Sequence, residues 1–164
     1  VKGRAFVVSA AIGGLVLAGY SRQGSTATGA VEPQSLAAIP VGGSYTPASW
    51  ASAFLGVIGE PDTSCNQAAV EAWAAAEGGA WGGDGATANP LNTTQPESGD
   101  WSINPVGVKA YPSWQEGLQA NATAITNGLY GGVLAALRAG NNAQAVADAV
   151  SASPWGTSSF EVSC

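Results

Sequence analysis

Three glycine stops constrain what this chain can fold into. Gly59, the pair Gly78-Gly79 and Gly140 each close an apolar run with helical spacing. A glycine just past the last turn ends a helix because it enters left-handed backbone without a Cβ clash. Ahead of the first stop, Thr46 reads as the N-cap and Pro47 as the first helical residue. Trp50, Phe54, Val57 and Ile58 then share one face. A second helix is expected from Ser64, with Gln67 completing a capping box, to Glu77. Ser113 and Glu116 form a similar box ahead of a stripe of Trp114, Leu118, Ile125 and Leu129. Val133, Leu134 and Leu137 mark a short helix stopped by Gly140, and Asn142 caps another from Ala143 to Val150.

Between the second and third helices the chain changes character. Gly, Asn, Thr and Pro dominate residues 80–111. "VGVKAY" alternates, with Val106, Val108 and Ala110 on one side and Lys109 and Tyr111 on the other. "DWSI" is its expected partner, giving a small β-hairpin region with long loops. Helices flanking such a region define an α+β class, mainly α.

Residues 46–164 therefore hold the folded domain. Residues 21–45, rich in Ser, Gly, Thr and Pro, read as a flexible linker. Residues 1–20 open with Lys2 and Arg4 and continue in an uncharged apolar run, short for a membrane span. They read as a signal-like or membrane-associated apolar helix, giving possible membrane contact. A buried helix is the other reading. "LAGY" resembles a lipoprotein box but carries Tyr20 where the lipidated cysteine belongs.

Composition removes whole classes of chemistry. The net charge is −6 with no basic run, so nucleic acid is not an expected partner. The chain has no histidine, which excludes Ser-His-Asp and Cys-His catalysis and most zinc sites. There is no phosphate-binding glycine loop, and no cofactor or metal is expected. The two cysteines, Cys65 and Cys164, read as a staple fastening the C-terminus near the start of the second helix, which implies an oxidising compartment.

Carboxylates, tyrosine or amides must carry any catalysis that remains. Glu77 is the carboxylate that stands out. Val70, Trp73, Ala74 and Glu77 are spaced i, i+3, i+4, i+7, which puts the carboxyl on the apolar stripe, while Glu71 lies roughly 120° away. Burial raises a carboxyl pKa, and the negative end of the helix dipole pushes the same way. A carboxylic acid still protonated near neutral pH can protonate a glycosidic oxygen. Glycosidases often pair it with a second carboxylate. Asp84, Glu97 and Asp100 follow in the irregular region, and Asp84, flanked by glycines, and Asp100, in "SGDW", are equally readable as turn residues. Trp81, Trp101 and Tyr111 could stack on sugar rings or pack in the core.

"AEGGAW", then "NPLNTT", then "VGVKAYPSWQEGLQA" resembles the lysozyme-like peptidoglycan hydrolases over roughly residues 46–160. The order is a helix-ending Glu, an Asn-rich turn and an aromatic-led helix start. The pattern is similar to bacterial glucosaminidases, and the helix end to goose-type lysozymes and resuscitation-promoting factors, with Gly78 in place of their Ser. "NPLNTT" and "SPWGT" are also similar to lysozyme-like domains of actinobacterial secreted proteins and their phages. The resemblance implies that Glu77 is the catalytic acid and that Asn89, Asn92, Thr93 and Thr94 belong to the turn lining the cleft. It also implies that Tyr111 faces that cleft, and that the substrate is the β-1,4-linked glycan strand of peptidoglycan. "NTT" departs from the usual pattern, and no second carboxylate is matched, which leaves Glu97 and Asp100 as candidates beside Asp84. It leaves hydrolysis and transglycosylation both open.

The sequence thus points to an exported, wall- or membrane-associated, or virion-borne glycosidase or lytic transglycosylase. The alternative is a non-catalytic lysozyme-like module that binds the wall or builds a phage tail. A membrane-anchored interaction domain is a third reading.

Overall fold

A computed structural model describes residues 44–81 and 83–164. The expected apolar segment at 1–20 and nearly all of the linker at 21–45 lie outside the described residues. The exceptions are Ser44, which is exposed, and Tyr45. Tyr45 was expected at the end of the linker but is buried in the core, with its ring edge-on to Trp114 at 5.6 Å.

Among the described residues five helices and one two-stranded hairpin follow in order: α1 Pro47–Ile58, α2 Ser64–Glu77, β1 Trp101–Ser102, β2 Lys109–Ala110, α3 Trp114–Ile125, α4 Gly131–Ala139 and α5 Ala143–Ser151. The fold is mainly α. Helix α2 is its axis, packing on α1 and on α5, while α1 also packs on α3 and α4 on α5. Trp50, Phe54, Leu55, Val70, Trp73, Leu118, Leu137 and Val146 fill the core. Among the described residues no helix is long and apolar enough to cross a membrane.

The caps explain the boundaries. Thr46 is extended and accepts from the Ser49 amide, while Ser49 bonds back to the Thr46 amide, a full capping box ahead of Pro47. Gly59 ends α1 in left-handed backbone at φ 74°. Helix α2 has the expected span, Ser64–Glu77, but its cap is not the expected one. Its N-cap is Thr63, which accepts from the Asn66 amide at 3.2 Å, and Ser64 is already helical. Gln67 instead donates to Asp62 at 2.8 Å. Thr63 wins because its hydroxyl also donates to the Gly140 carbonyl at 2.6 Å, tying the cap to the end of α4. At α3, Ser113 caps the Glu116 amide, but the Glu116 carboxylate accepts from the Ser113 hydroxyl rather than from its amide.

Three apolar positions fall on the wrong side of their expected stripes. Val106 is 79% exposed and Leu129 64% exposed, while Tyr111 is fully buried. The ladder contains only Trp101 opposite Ala110 and Ser102 opposite Lys109. Residues 104–107 form a turn, closed by Gly107 donating to the Asn104 carbonyl at 3.1 Å, so strand alternation does not reach Val106. Helix α3 stops at Ile125, before Leu129.

Cys65, in the first turn of α2, is bridged to Cys164 across 99 residues of sequence. Closing a loop of about that length removes enough unfolded-chain entropy to stabilise the fold by about 4 kcal/mol. Urea unfolding with and without a phosphine reductant should show a loss of that order. An unchanged midpoint would mean the closed loop contributes nothing.

Candidate active site

Glu77 is the last residue of α2, and Gly78 turns the backbone left-handed behind it at φ 68°. Val70, Trp73 and Ala74 are buried along the stripe that Glu77 completes, and the Glu77 side chain is half-buried. Its partners come from the other end of the chain. The Trp73 indole N–H donates to Thr157 Oγ1 at 3.1 Å, and the Thr157 hydroxyl donates to Glu77 Oε1. An indole can only donate, so Thr157 Oγ1 accepts from Trp73 and keeps its own hydrogen to give to Glu77 when the carboxyl is ionised. With Thr157 donating to Oε1, a proton arriving on the acid takes Oε2. Burial pushes the Glu77 pKa up, and the hydrogen bonds from Thr157 and Trp73 only partly oppose this. The result is a carboxyl group biased toward its acid form and fixed in orientation.

The Asn-rich turn packs against this helix end. Asn92, itself left-handed at φ 51°, donates to the Glu77 backbone carbonyl at 2.7 Å and to Asp84 Oδ2 at 3.0 Å. Asp84 also accepts from the Ala86 amide at 2.9 Å. Of the three candidate second carboxylates, Asp84 is therefore the one bonded into the Glu77 helix end. Asn89 and Thr93, expected among substrate-contacting residues, are buried. Asn89 is the turn's hub: it donates to the Thr93 and Lys109 carbonyls at 2.9 and 2.7 Å and accepts from the Thr93 amide and from Asn121. Those four bonds occupy its amide, so its part is to hold the turn. Thr94 is exposed and Asn92 partly so.

Tyr111 does not face a cleft. It is fully buried, and its hydroxyl donates to the Gln95 carbonyl at 2.6 Å. Burial pushes its pKa up, and the charges of Asp100 and Glu97 add to the rise, so it stays a phenol. Asp100 is committed elsewhere: it pairs with Lys109 at 2.8 Å and accepts from the Glu97 amide at 2.7 Å. The Lys109 contact holds its carboxyl below the usual range, which suits a hairpin brace. Glu97 is half-buried beside that brace. No bond joins Glu97 or Asp100 to the Glu77 site among the described residues.

Among the described residues two hollows stand out, one against the Asn-rich turn and one along α2, and Glu77 is in the lining of neither. One, of about 220 Å³, is lined by Asn92, Thr93, Thr94 and Gln95 on one wall and by Ala124, Asn127, Tyr130, Pro154 and Trp155 on the other. It presents carboxamides, hydroxyls and two aromatic rings, with no charged side chain. Trp155 is packed edge-on to both Trp73 and Tyr130, and its indole donates to the Leu91 carbonyl at 3.1 Å. The second hollow, of about 550 Å³, is more apolar and contains Pro47, Glu71, Ala72, Gly78 and Trp81. Trp81 stacks on Trp114 and donates to the Tyr45 carbonyl at 3.2 Å, so it belongs to this hollow rather than to the Asn-rich groove. Trp101 stands apart from both hollows on β1, 48% exposed.

Sequence spacing did not single out Thr157, Asn127, Tyr130 or Trp155 as site residues. The one available signal was "SPWGT", which carries both Trp155 and Thr157. Comparison of the chain with protein-family models, with curated proteins and with solved structures found no match.

Proposed function

We propose that this protein cleaves the β-1,4-linked glycan strand of peptidoglycan, with Glu77 as general acid, on a lysozyme-like scaffold. The observation that carries the reading is the Glu77 carboxyl itself. It is half-buried, biased toward the protonated form and bonded through Oε1 to Thr157, while the backbone carbonyl of the same residue accepts from Asn92, which also lines a groove without charged side chains. Oε2 is the oxygen left to deliver a proton to the departing sugar oxygen. Carboxamides and aromatic faces are the groups that suit the N-acetyl groups and apolar faces of amino sugars. Asp84, joined to the same helix end through Asn92, is the carboxylate best placed to stabilise positive charge developing on the sugar or to activate water. The disulfide supports action outside the cytoplasm, where such bridges persist.

Digestion of purified peptidoglycan, followed by mass spectrometry of the soluble fragments, tests the reading. The expected products are disaccharide-peptides whose reducing ends identify the bond cut. A protein that binds the polymer and releases nothing would instead be the non-catalytic module.

A further inference from the structure

The C-terminal tail after α5 has no regular secondary structure, yet it supplies the hydroxyl that touches Glu77. We infer that Thr157 is a positioning residue for Glu77 and that the bridged tail is what holds it in place. The inference rests on the proposed role of Glu77 only for its consequence in catalysis; the positioning itself is a property of the fold.

Upstream of Thr157 the tail is anchored by Trp155, packed on Trp73 and Tyr130 and bonded to the Leu91 carbonyl; downstream its attachments are fewer. Thr157 lies seven residues before Cys164 in sequence. Between them, Gln144 of α5 donates to the Phe160 carbonyl at 3.3 Å and accepts from the Val162 amide at 3.0 Å. Phe160 and Val162 rest against the core. A tail without a ladder or helix depends on such point attachments, and the covalent one is the Cys65–Cys164 bridge to the first turn of α2. Helix α2 thus carries the bridge at its start and Glu77 at its end, and the tail spans the two. Trp73, one turn before Glu77, donates to the same Thr157 oxygen and so helps hold the hydroxyl beside the carboxyl. The charged groups on the elements around Glu77 are Glu71 on α2, Asp84 in the following loop, Asp148 on α5 and Glu161 in the tail, all acidic. Among the described residues no ion pair therefore competes with the hydroxyl for control of the carboxyl.

The test is a carboxyl-carbon NMR titration of Glu77 in the whole protein, which reads the group whether or not the protein cleaves glycan. Thr157→Val should move the titration of Glu77 upward, because a donor to the ionised form is lost, and Thr157→Ser should return it to the wild-type position. Opening the bridge with a phosphine reductant should move it the same way in wild type and no further in Thr157→Val. If the reduced chain unfolds, Gln144→Ala in the oxidised protein is the milder loosening, and a smaller upward move is expected. An unmoved titration in Thr157→Val overturns the positioning role. A normal shift there, but none on reduction or with Gln144→Ala, overturns the role of the tail. Should the titrations behave as expected while peptidoglycan stays intact, the glycosidase reading fails and the positioning stands. Where cleavage is measurable, its alkaline limb should follow the NMR shift in every variant.

Discussion

Glu77→Gln should reduce peptidoglycan cleavage by roughly 100- to 10,000-fold, the span a general acid contributes, while leaving the protein folded. Glutamine matches the shape of the neutral acid, and its carbonyl oxygen can still accept from Thr157, so the Trp73–Thr157 chain survives. What disappears is the transferable proton on the second oxygen. The stability expectation has a definite sign. Burial raises the folded-state pKa of Glu77, so its contribution is most favourable below the unfolded pKa and is lost as pH rises through the folded value. Above that value the wild type buries an ionised group and the glutamine variant does not. The variant should therefore melt at the same temperature or higher at alkaline pH, and no higher in acid. Substituting Asp100 offers a contrast, since its loss should loosen the hairpin through Lys109 rather than remove the reacting group. Retained cleavage in Glu77→Gln would remove Glu77 from the chemistry altogether.

Local signals were legible in the sequence, and signals that depend on distant chain were not. Thr46, Pro47 and Gly59 fixed α1 to the residue because each acts within a single turn. Thr63 and Ser64 are adjacent hydroxyl residues with similar capping ability; Gly140, far along the chain, separates them. The burial of Glu77 could be read because helical period alone puts it on the stripe of Val70 and Trp73. Its hydroxyl donor could not, since Thr157 lies 80 residues away in sequence and no spacing rule reaches that far. Tyr111 shows the opposite error. Alternation assumed a strand from Val106 to Tyr111, but the pairing ends at Ala110, and the Tyr111 amide donates to the Thr87 carbonyl at 3.0 Å. That contact draws the ring inward under the Asn-rich turn, whereas alternation grouped it with Lys109 and the resemblance implied that it faces the cleft. The same turn took Asn89 from the groove to the interior, because a carboxamide able to donate twice and accept twice is what a tight bend needs at its centre.

The second large effect is expected at that bend, from Gly117→Ala. Alanine normally improves a helix interior over glycine by up to about 1 kcal/mol. Here the sign should reverse, with a loss of about 3 kcal/mol or more, since overpacking a filled site costs 1–3 kcal/mol and occasionally exceeds it. A Cβ on Gly117 would overlap the Ala88 carbonyl oxygen and approach the Tyr111 ring at 3.2 Å. The colliding atom is backbone, so no rotamer change relieves it. Ala88 is already left-handed at φ 56°, and the turn around it is fixed by Asn89, Asn121 and the Tyr111–Thr87 bond. Gly79 presses on the same turn from the α2 side, against the carbonyls of Asn89 and Pro90. The turn is thus wedged at glycines between α3 and the segment just past the end of α2, and retreat from Gly117 brings it toward Gly79. Gly132→Ala on α4, where a Cβ would meet nothing within 4 Å, is the matched control and should be neutral or stabilising by about 0.5 kcal/mol. Urea unfolding of the pair decides the matter, because equal midpoints would mean the turn has room to move. Since Asn92 of this turn holds the Glu77 carbonyl, a displaced turn should also disturb the Glu77 titration, linking the tightest packing in the fold to the acid it supports.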